Sequence, residues 1–284
     1  MKTKITIALI FIILLSACGG IKKGDKTDVK ILGLKGRVKS IKYSSYNAEL
    51  KFGEIKKGMR SNSKEDNRYY YFNIEGVKVE DGESDFDDVI QKKTLYKYDE
   101  NERLIQSSEY NSKDEFIGKT IYTRDDKGRL TEASKYNSKD EFIGKIIYIR
   151  DDRGDAIEKN IYDLNGVLSS KFKFEYDKKG RVLESRYYRS DGRLLEEKYI
   201  KYDGDGKVLE EKLKIGTTIY VKDYRYEDKD REDITLVTQS KDFSIMSKTK
   251  NIYKYDKIGN WIEKTSVEDG KPKVIKERKI EYYM

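Results

Sequence analysis

The chain has 284 residues, with 60 Lys and Arg against 52 Asp and Glu, a net charge of +8, one cysteine and no histidine. The missing histidine excludes a His-based triad, a histidine zinc site and a His pH switch, and the lone cysteine leaves no disulfide within the chain. Charged residues make up 39% and apolar ones 36%, a balance that leans towards disorder, but 24 tyrosines against 9 phenylalanines and one proline point to sheet instead.

Residues 1–17 read as an export signal. Lys2 and Lys4 form a basic n-region, and Ile5 to Leu15 is apolar apart from Thr6. That stretch suits a signal-peptide core and is too short to span a bilayer. It ends in Leu15-Ser16-Ala17-Cys18, which resembles the lipobox of bacterial lipoproteins. The resemblance implies cleavage before Cys18, a diacylglyceryl thioether on its sulfur and an N-acyl chain such as palmitate. Cys18 is thus the expected lipid-attachment site, and two or more acyl chains make a stable anchor. Residues 18–33 are expected to be a lipidated tether, polar and Gly/Lys-rich from Gly19 to Asp28. No Asp follows Cys18 directly, and no acidic run follows it either. By resemblance to lipoprotein sorting rules this favours the periplasmic face of the outer membrane, with surface exposure left open.

Residues 34–92 read as degenerate β repeats forming an N-terminal cap. Leu34-Lys35-Gly36-Arg37-Val38 resembles the KKGRV at 178–182. Residues 47–90 are irregular, with loops expected at SNSKEDN (61–67) and DGESDFDD (81–88). The alternating carboxylates Asp81, Glu83, Asp85 and Asp87 could gather calcium but lack the EF-hand spacing, so a solvated loop is the expectation. No metal or cofactor is expected.

Residues 93–214 are a regular repeat. Asp99, Asp125, Asp151, Asp177 and Asp203 recur every 26 residues, mostly as Asp-x-x-Gly, and a further copy opens at Asp256. Asp at the first position and Gly at the fourth suit a type I turn with a bulge; Glu102 breaks the Gly rule in the first copy. Halfway between lies a second set of turns, marked by Tyr110, Tyr136, Tyr162 and Tyr188. There Asn165-Gly166 and Asp191-Gly192 read as two-residue hairpin loops. Each unit therefore holds two strands and two tight turns, and connections this short allow only antiparallel neighbours. In Val167–Tyr176, Leu168, Phe172, Phe174 and Tyr176 share one face by period-2 alternation. The fold class is all-β: an antiparallel hairpin-repeat meander forming an elongated twisted or curled sheet, with a closed barrel-like or cocoon-like shell as the alternative.

The decapeptide YNSKDEFIGK occurs at 110–119 and again at 136–145. Between 110–126 and 136–152 only Thr120/Ile146 and Thr123/Ile149 differ. Duplication of one hairpin unit explains such identity, which packing does not require. The repeat also draws columns across the sheet. Tyr110, Tyr136, Tyr162 and Tyr188 are a candidate sugar- or peptide-binding stripe, or else strand-end packing. Glu132, Glu158, Glu184 and Glu210 form a second column. Arg103, Arg129, Arg181 and Lys207 form a third, broken by Asp155. For both charged columns, cross-strand pairing on a solvated face is the plain expectation. Charges of both signs are interleaved, as in EEKYIKYDGDGKVLEEKLK. Nucleic-acid binders concentrate basic residues in a patch, so no nucleic-acid partner is expected. Residues 215–284 read as degenerate C-terminal repeats and cap, with Pro272 marking an edge strand.

Tyr98-Asp99…Arg103-Leu104, Tyr176-Asp177-Lys178-Lys179-Gly180-Arg181-Val182, Tyr202-Asp203-Gly204-Asp205-Gly206-Lys207-Val208 and Tyr255-Asp256-Lys257-Ile258-Gly259-Asn260-Trp261 resemble YD repeats of the Rhs type over roughly residues 93–283. Arg124 and Arg150 replace the motif tyrosine in two units. MORN-like repeats share the Tyr/Gly hairpin style. The ending YDKIGNWIEK…RKIEYY is similar to exported Bacteroidetes lipoproteins. Large Rhs proteins wrap such strands around a C-terminal toxin; this chain ends inside a repeat-like strand, so a toxin role is not expected. The reading that follows is a non-enzymatic, lipid-anchored envelope protein acting as a binding or scaffold surface for an envelope protein or glycan. Glycan binding by the tyrosine stripe is the alternative. A carboxylate-dependent hydrolase would need a marked acid pair, and most carboxylates here belong to turns or columns.

Overall fold

The computed structural model describes residues 27–61, 66–228, 232–239 and 244–284. The expected signal segment, Cys18 and residues 62–65 of the expected 61–67 loop lie outside the described residues. A single helical turn, α1 (Asp28–Ile31), precedes β1 (Val38–Lys51), β2 (Glu54–Arg60), β3 (Arg68–Phe72) and β4 (Lys78–Ser84). The regular repeat supplies β5 (Ile90–Tyr98), β6 (Leu104–Asn111), β7 (Phe116–Arg124), β8 (Leu130–Asn137), β9 (Phe142–Arg150), β10 (Ala156–Asp163), β11 (Leu168–Tyr176), β12 (Val182–Arg189), β13 (Leu194–Tyr202) and β14 (Val208–Ile215). The C-terminal part adds β15 (Thr218–Asp228), β16 (Glu232–Gln239), β17 (Ser244–Tyr255), β18 (Trp261–Glu268) and β19 (Lys271–Tyr282).

The expected antiparallel hairpin meander is what forms. From β3 to β19 every strand pairs antiparallel with the next in sequence. The sheet curls until its two ends meet at β1. One edge of β1 pairs with β19, from Val38↔Tyr282 to Asn47↔Val274. Its other edge pairs with β3 only over Ser40–Lys42 and with β2 further along. This uneven seam makes a curled sheet rather than a regular barrel. It also revises the expectation for Pro272. β19 is not an edge strand, and Pro272 is tolerated because it precedes Val274, where pairing with β1 begins.

The turns explain why these residues form hairpins. At each Asp turn the fourth residue donates its N–H to the carbonyl of the first, as in Gly128 to Asp125 at 2.8 Å and Gly180 to Asp177 at 3.1 Å. The Asp carboxylate accepts the N–H groups two and four residues on, as Asp125 does from Lys127 and Arg129 at 3.0 and 2.8 Å. The fourth residue adopts a left-handed conformation, and Glu102 takes it too, at φ 60°. The second set of turns has the same geometry, which corrects the two-residue reading. Gly166 donates to Asp163 and Gly192 to Arg189. A two-residue type I′ loop would need positive φ at both central residues, and Asn165 is not among the positive-φ residues. Two loops do use two successive positive φ values: Phe52-Gly53, at 53° and 79° between the paired Lys51 and Glu54, and Asp269-Gly270, at 49° and 75° between the paired Glu268 and Lys271.

Two expectations at the N-terminal end are revised. Residues 28–33 of the expected tether pack onto the sheet: Val29 is buried with Leu34, Val38, Ile41 and Phe72, and Tyr43, Tyr70, Ile280 and Tyr282 pack against them. Val29 N–H donates to the Gly76 carbonyl, and the Asp28 carboxylate accepts from Lys78 N–H at 2.8 Å. Apolar side chains within reach of a buried patch stay there, at ~1.5–3 kcal/mol each. Residues 81–84 belong to β4 rather than to an acidic loop, and the end of β1 together with β2, β3 and β4 supplies strands between residues 47 and 84 that lack the repeat's register. The sheet face that carries this cluster is called the α1 face below. A second small cluster, Leu130, Tyr148 and Ala156, joins Tyr122 and Ile146.

Candidate functional site

The repeated motif is used in holding the sheet. In the Tyr-Asp pairs the phenol crosses to the start of the preceding strand. Tyr98 donates to the Lys78 carbonyl (2.6 Å), Tyr176 to Ala156 (2.8 Å) and Tyr202 to Val182 (3.0 Å). Where Arg replaces Tyr the same acceptor is kept: Arg124 donates to the Leu104 carbonyl (3.3 Å) and Arg150 to that of Leu130 (2.8 Å). A guanidinium can also serve a second acceptor, and both reach the carbonyl of their own turn glycine, Gly128 or Gly154. Arg103, Arg129 and Arg181 do not pair across strands as the plain expectation had it. Each pairs with the aspartate of its own turn, at 2.9, 2.6 and 2.6 Å. These arginines also lie against the glycine of the next unit's turn. A Cβ on Gly128 would meet Arg103 Nη1 at 2.6 Å.

The glutamate column pairs with basic side chains. Glu132 contacts Lys145 (3.2 Å), Glu158 contacts Lys173 (4.0 Å), Glu184 contacts Arg186 (2.6 Å) and Glu210 contacts Lys201 (2.8 Å). Asp81 is held by Lys78 at 2.6 Å and by the Tyr96 hydroxyl at 2.8 Å. Glu83 faces Arg68, and Asp85 caps its own turn through the N–H groups of Asp87 and Val89. The alternating carboxylates are thereby separated between a strand and a turn.

The tyrosine stripe lies on the reverse face. Tyr110 opposes Lys93, whereas Tyr96 opposes Ser107. The three-residue offset puts Tyr110 and Tyr96 on opposite faces. Tyr110 and Tyr136 meet Phe116 and Phe142 edge-to-face, with ring centroids 5.8 and 6.0 Å apart. Tyr162 opposes Leu168, and Tyr188 opposes Leu194. Lys93, Lys119 and Lys171 lie over the rings of Tyr110, Tyr136 and Tyr188 at 5.6–5.9 Å. All four tyrosines are half-buried. The stripe is therefore continuous in register, and its rings are partly engaged in packing the hairpin ends.

A different row, which sequence reasoning missed, assembles on the α1 face at the seam. Trp261 of β18, Arg278 of β19, Tyr43 of β1 and Tyr70 of β3 come together there. The Arg278 guanidinium carbon is 3.5 Å from the Trp261 ring centroid and 4.9 Å from that of Tyr43. Tyr43 meets Trp261 and Tyr70 edge-to-face at 6.2 and 5.8 Å. Lys78 continues the row, 5.7 Å from the Tyr70 ring and 4.3 Å from that of Tyr96. Burial pushes the phenols of Tyr43, Tyr70 and Tyr96 above their usual range and holds the Arg278 guanidinium below its own. These phenols are therefore neutral at physiological pH, and Arg278 stays charged. The row offers stacking surface beside a partly desolvated cation. One sequence signal was available: Tyr96, Tyr122, Tyr148 and Phe174 also recur every 26 residues.

No family model matches the chain, and no curated protein matches it. Among solved structures, a porin-like protein from Bacteroides uniformis is similar over 87% of this chain and 99% of its own, with 12% identity and a TM-score of 0.47. A TcdB2–TccC3–Cdc42 structure and a TcdB2–TccC3 structure align over 80% and 81% of this chain, at 10% identity and TM-scores of 0.19 and 0.20. The chain spans 17% and 18% of those two. Likeness at this level assigns neither an activity nor a location.

Proposed function

We propose that the chain is a lipid-anchored, non-enzymatic β-repeat protein of the cell envelope, held at the periplasmic face of the outer membrane and serving as a binding or scaffold surface. The anchor rests on Leu15-Ser16-Ala17-Cys18. The scaffold reading rests on one observation: the repeated Tyr, Arg and Asp side chains are spent on the sheet's own carbonyls, N–H groups and ion pairs. Repetition thus builds surface and leaves recognition to the residues between the motifs. Cys18→Ala is expected to abolish incorporation of labelled palmitate and to move the protein out of the membrane fraction. Unchanged labelling would overturn the anchor.

The second reading is glycan binding by the reverse-face stripe. It is favoured by the register that sets Tyr110, Tyr136, Tyr162 and Tyr188 on successive hairpins of one face. Replacing both Tyr136 and Tyr162 by Ala is expected to remove most binding to any glycan the wild type retains on an array. Retention equal to wild type would discard the stripe as the ligand surface.

A further inference from the structure

We propose that the seam row on the α1 face is a subsite for a carboxylate-bearing sugar, centred on Arg278. This deepens the binding-surface reading and rests on it, and is independent of the lipid anchor.

The argument starts from charge. The other cations named on this face have a carboxylate partner: Lys78 has Asp81 at 2.6 Å, Lys276 has Asp66 at 2.6 Å and Arg68 has Glu83 at 3.5 Å. Among the described residues no carboxylate pairs with Arg278. The groups that act on it are the phenols of Tyr43, Tyr253 and Tyr70. Its Nε is buried with no hydrogen-bond partner. Removing a guanidinium from water without a counter-charge is costly, and leaving one of its N–H groups unpaired adds to that cost. The rings of Trp261 and Tyr43 offset part of this through cation–π attraction, but they supply no negative charge. A carboxylate meeting the guanidinium at its Nη groups would supply it, through a charge-assisted pair.

The surroundings select the rest of the ligand. Tyr43, Tyr253 and Trp261 stand around the guanidinium, with Tyr253 and Trp261 centroids 6.1 Å apart. Such ring faces accept the C–H face of a pyranose, while the carboxylate of the same sugar meets Arg278. A uronic acid carries both features in one residue. The row is also displaced from the reverse-face stripe, so the two surfaces are separable by mutation.

Trp261 is the sole tryptophan of the chain and touches Arg278, so its fluorescence reports this site alone. Trigalacturonate titrated into the full-length chain is expected to change Trp261 emission saturably. Methyl esterification, which removes the charge and keeps the sugar, is expected to weaken the response by roughly tenfold or more. Arg278→Gln should lose binding to a similar degree, and Tyr110→Ala should retain it. The proposal is overturned if the ester and the free acid respond alike, or if trigalacturonate gives no response up to about 10 mM, beyond the weak end of specific binding. A glutamate-rich peptide that binds as well as trigalacturonate overturns the sugar assignment. If Arg278→Gln does not fold, the comparison of acid with ester on the unmutated chain still decides.

Discussion

Gly144→Ala is expected to be among the most damaging single substitutions in the regular repeat, costing roughly 3 kcal/mol. Two effects add. Gly144 has φ 147°, and a Cβ there would lie 2.7 Å from the Tyr162 carbonyl oxygen, a backbone atom that cannot swing away. Holding a side chain in that glycine-only region costs ~1–3 kcal/mol, and forcing atoms into a filled space costs a further ~1–3 kcal/mol. For a chain of this size the midpoint should fall by roughly 6–12 °C, read by circular dichroism. Gly118 is its counterpart one unit earlier, with a Cβ 2.6 Å from the Tyr136 carbonyl oxygen but no positive φ. Gly118→Ala should therefore cost less, leaving mainly the ~1–3 kcal/mol contact term. One unit later the position is Ser170, buried and outside the left-handed region. The repeat position as such accepts a Cβ, so the penalty belongs to the local backbone at 144. Equal losses for the two alanine variants would disprove that assignment.

Acid should unfold the protein steeply. Backbone N–H donation from Arg129 and Arg181 holds the carboxyls of Asp125 and Asp177 below the usual range, against a smaller opposing effect of burial. Asp99, Asp151 and Asp256 are also lowered: burial raises them, but the donors of their turns, joined at Asp256 by the Tyr282 hydroxyl, together outweigh it. A carboxyl whose folded value lies below its unfolded value of about 3.9 stabilises the fold above that value. The contribution is lost as pH falls through about 4 towards the folded values. Five such turns act on one curled sheet, so their losses should arrive together. With no histidine in the chain, the stability profile should be flat from about pH 5.5 to 8 and drop below about 4.5. The sequence contains its own control. Asn111 and Asn137 occupy the same turn position and accept the same N–H groups without titrating, as Asn111 does from Lys113 and Glu115 at 2.9 and 3.0 Å. Replacing Asp125 and Asp177 together by Asn should make the acid limb shallower. A melting profile with an unchanged acid limb would remove the turns as its cause.

The regular hairpins were legible in the sequence because their causes are local. Asp at the first turn position and Gly at the fourth act within five residues, and the period of 26 sets every later register. The identical geometry of the two turn sets was not legible. Asn165-Gly166 satisfies both a two-residue loop and the end of a four-residue turn, and only the Asp163 carboxylate, accepting from Asn165 and Val167 at 2.9 Å, decides between them. The tolerance of Arg124 and Arg150 for a tyrosine position also needed the structure, since the shared property is the reach of a donor to a carbonyl 20 residues upstream. The seam row was invisible for a different reason. Tyr43 and Arg278 are far apart in sequence and become neighbours when the last strand pairs with the first. No local pattern encodes that meeting, which depends on the summed curl of every hairpin between them.

The tyrosine or arginine before each Asp turn grips the carbonyl that opens the preceding strand, so each clasp ties two neighbouring strands together. Because the ends of the sheet meet at β1, length along the chain becomes girth around the molecule. Girth can then change only in whole steps: one added or deleted 26-residue unit shifts two strands, roughly 9.6 Å of circumference. Homologous chains with different numbers of units would form curled sheets of graded width that share one seam. Their girth would be reset by counting, with no new turn, clasp or closing surface to invent.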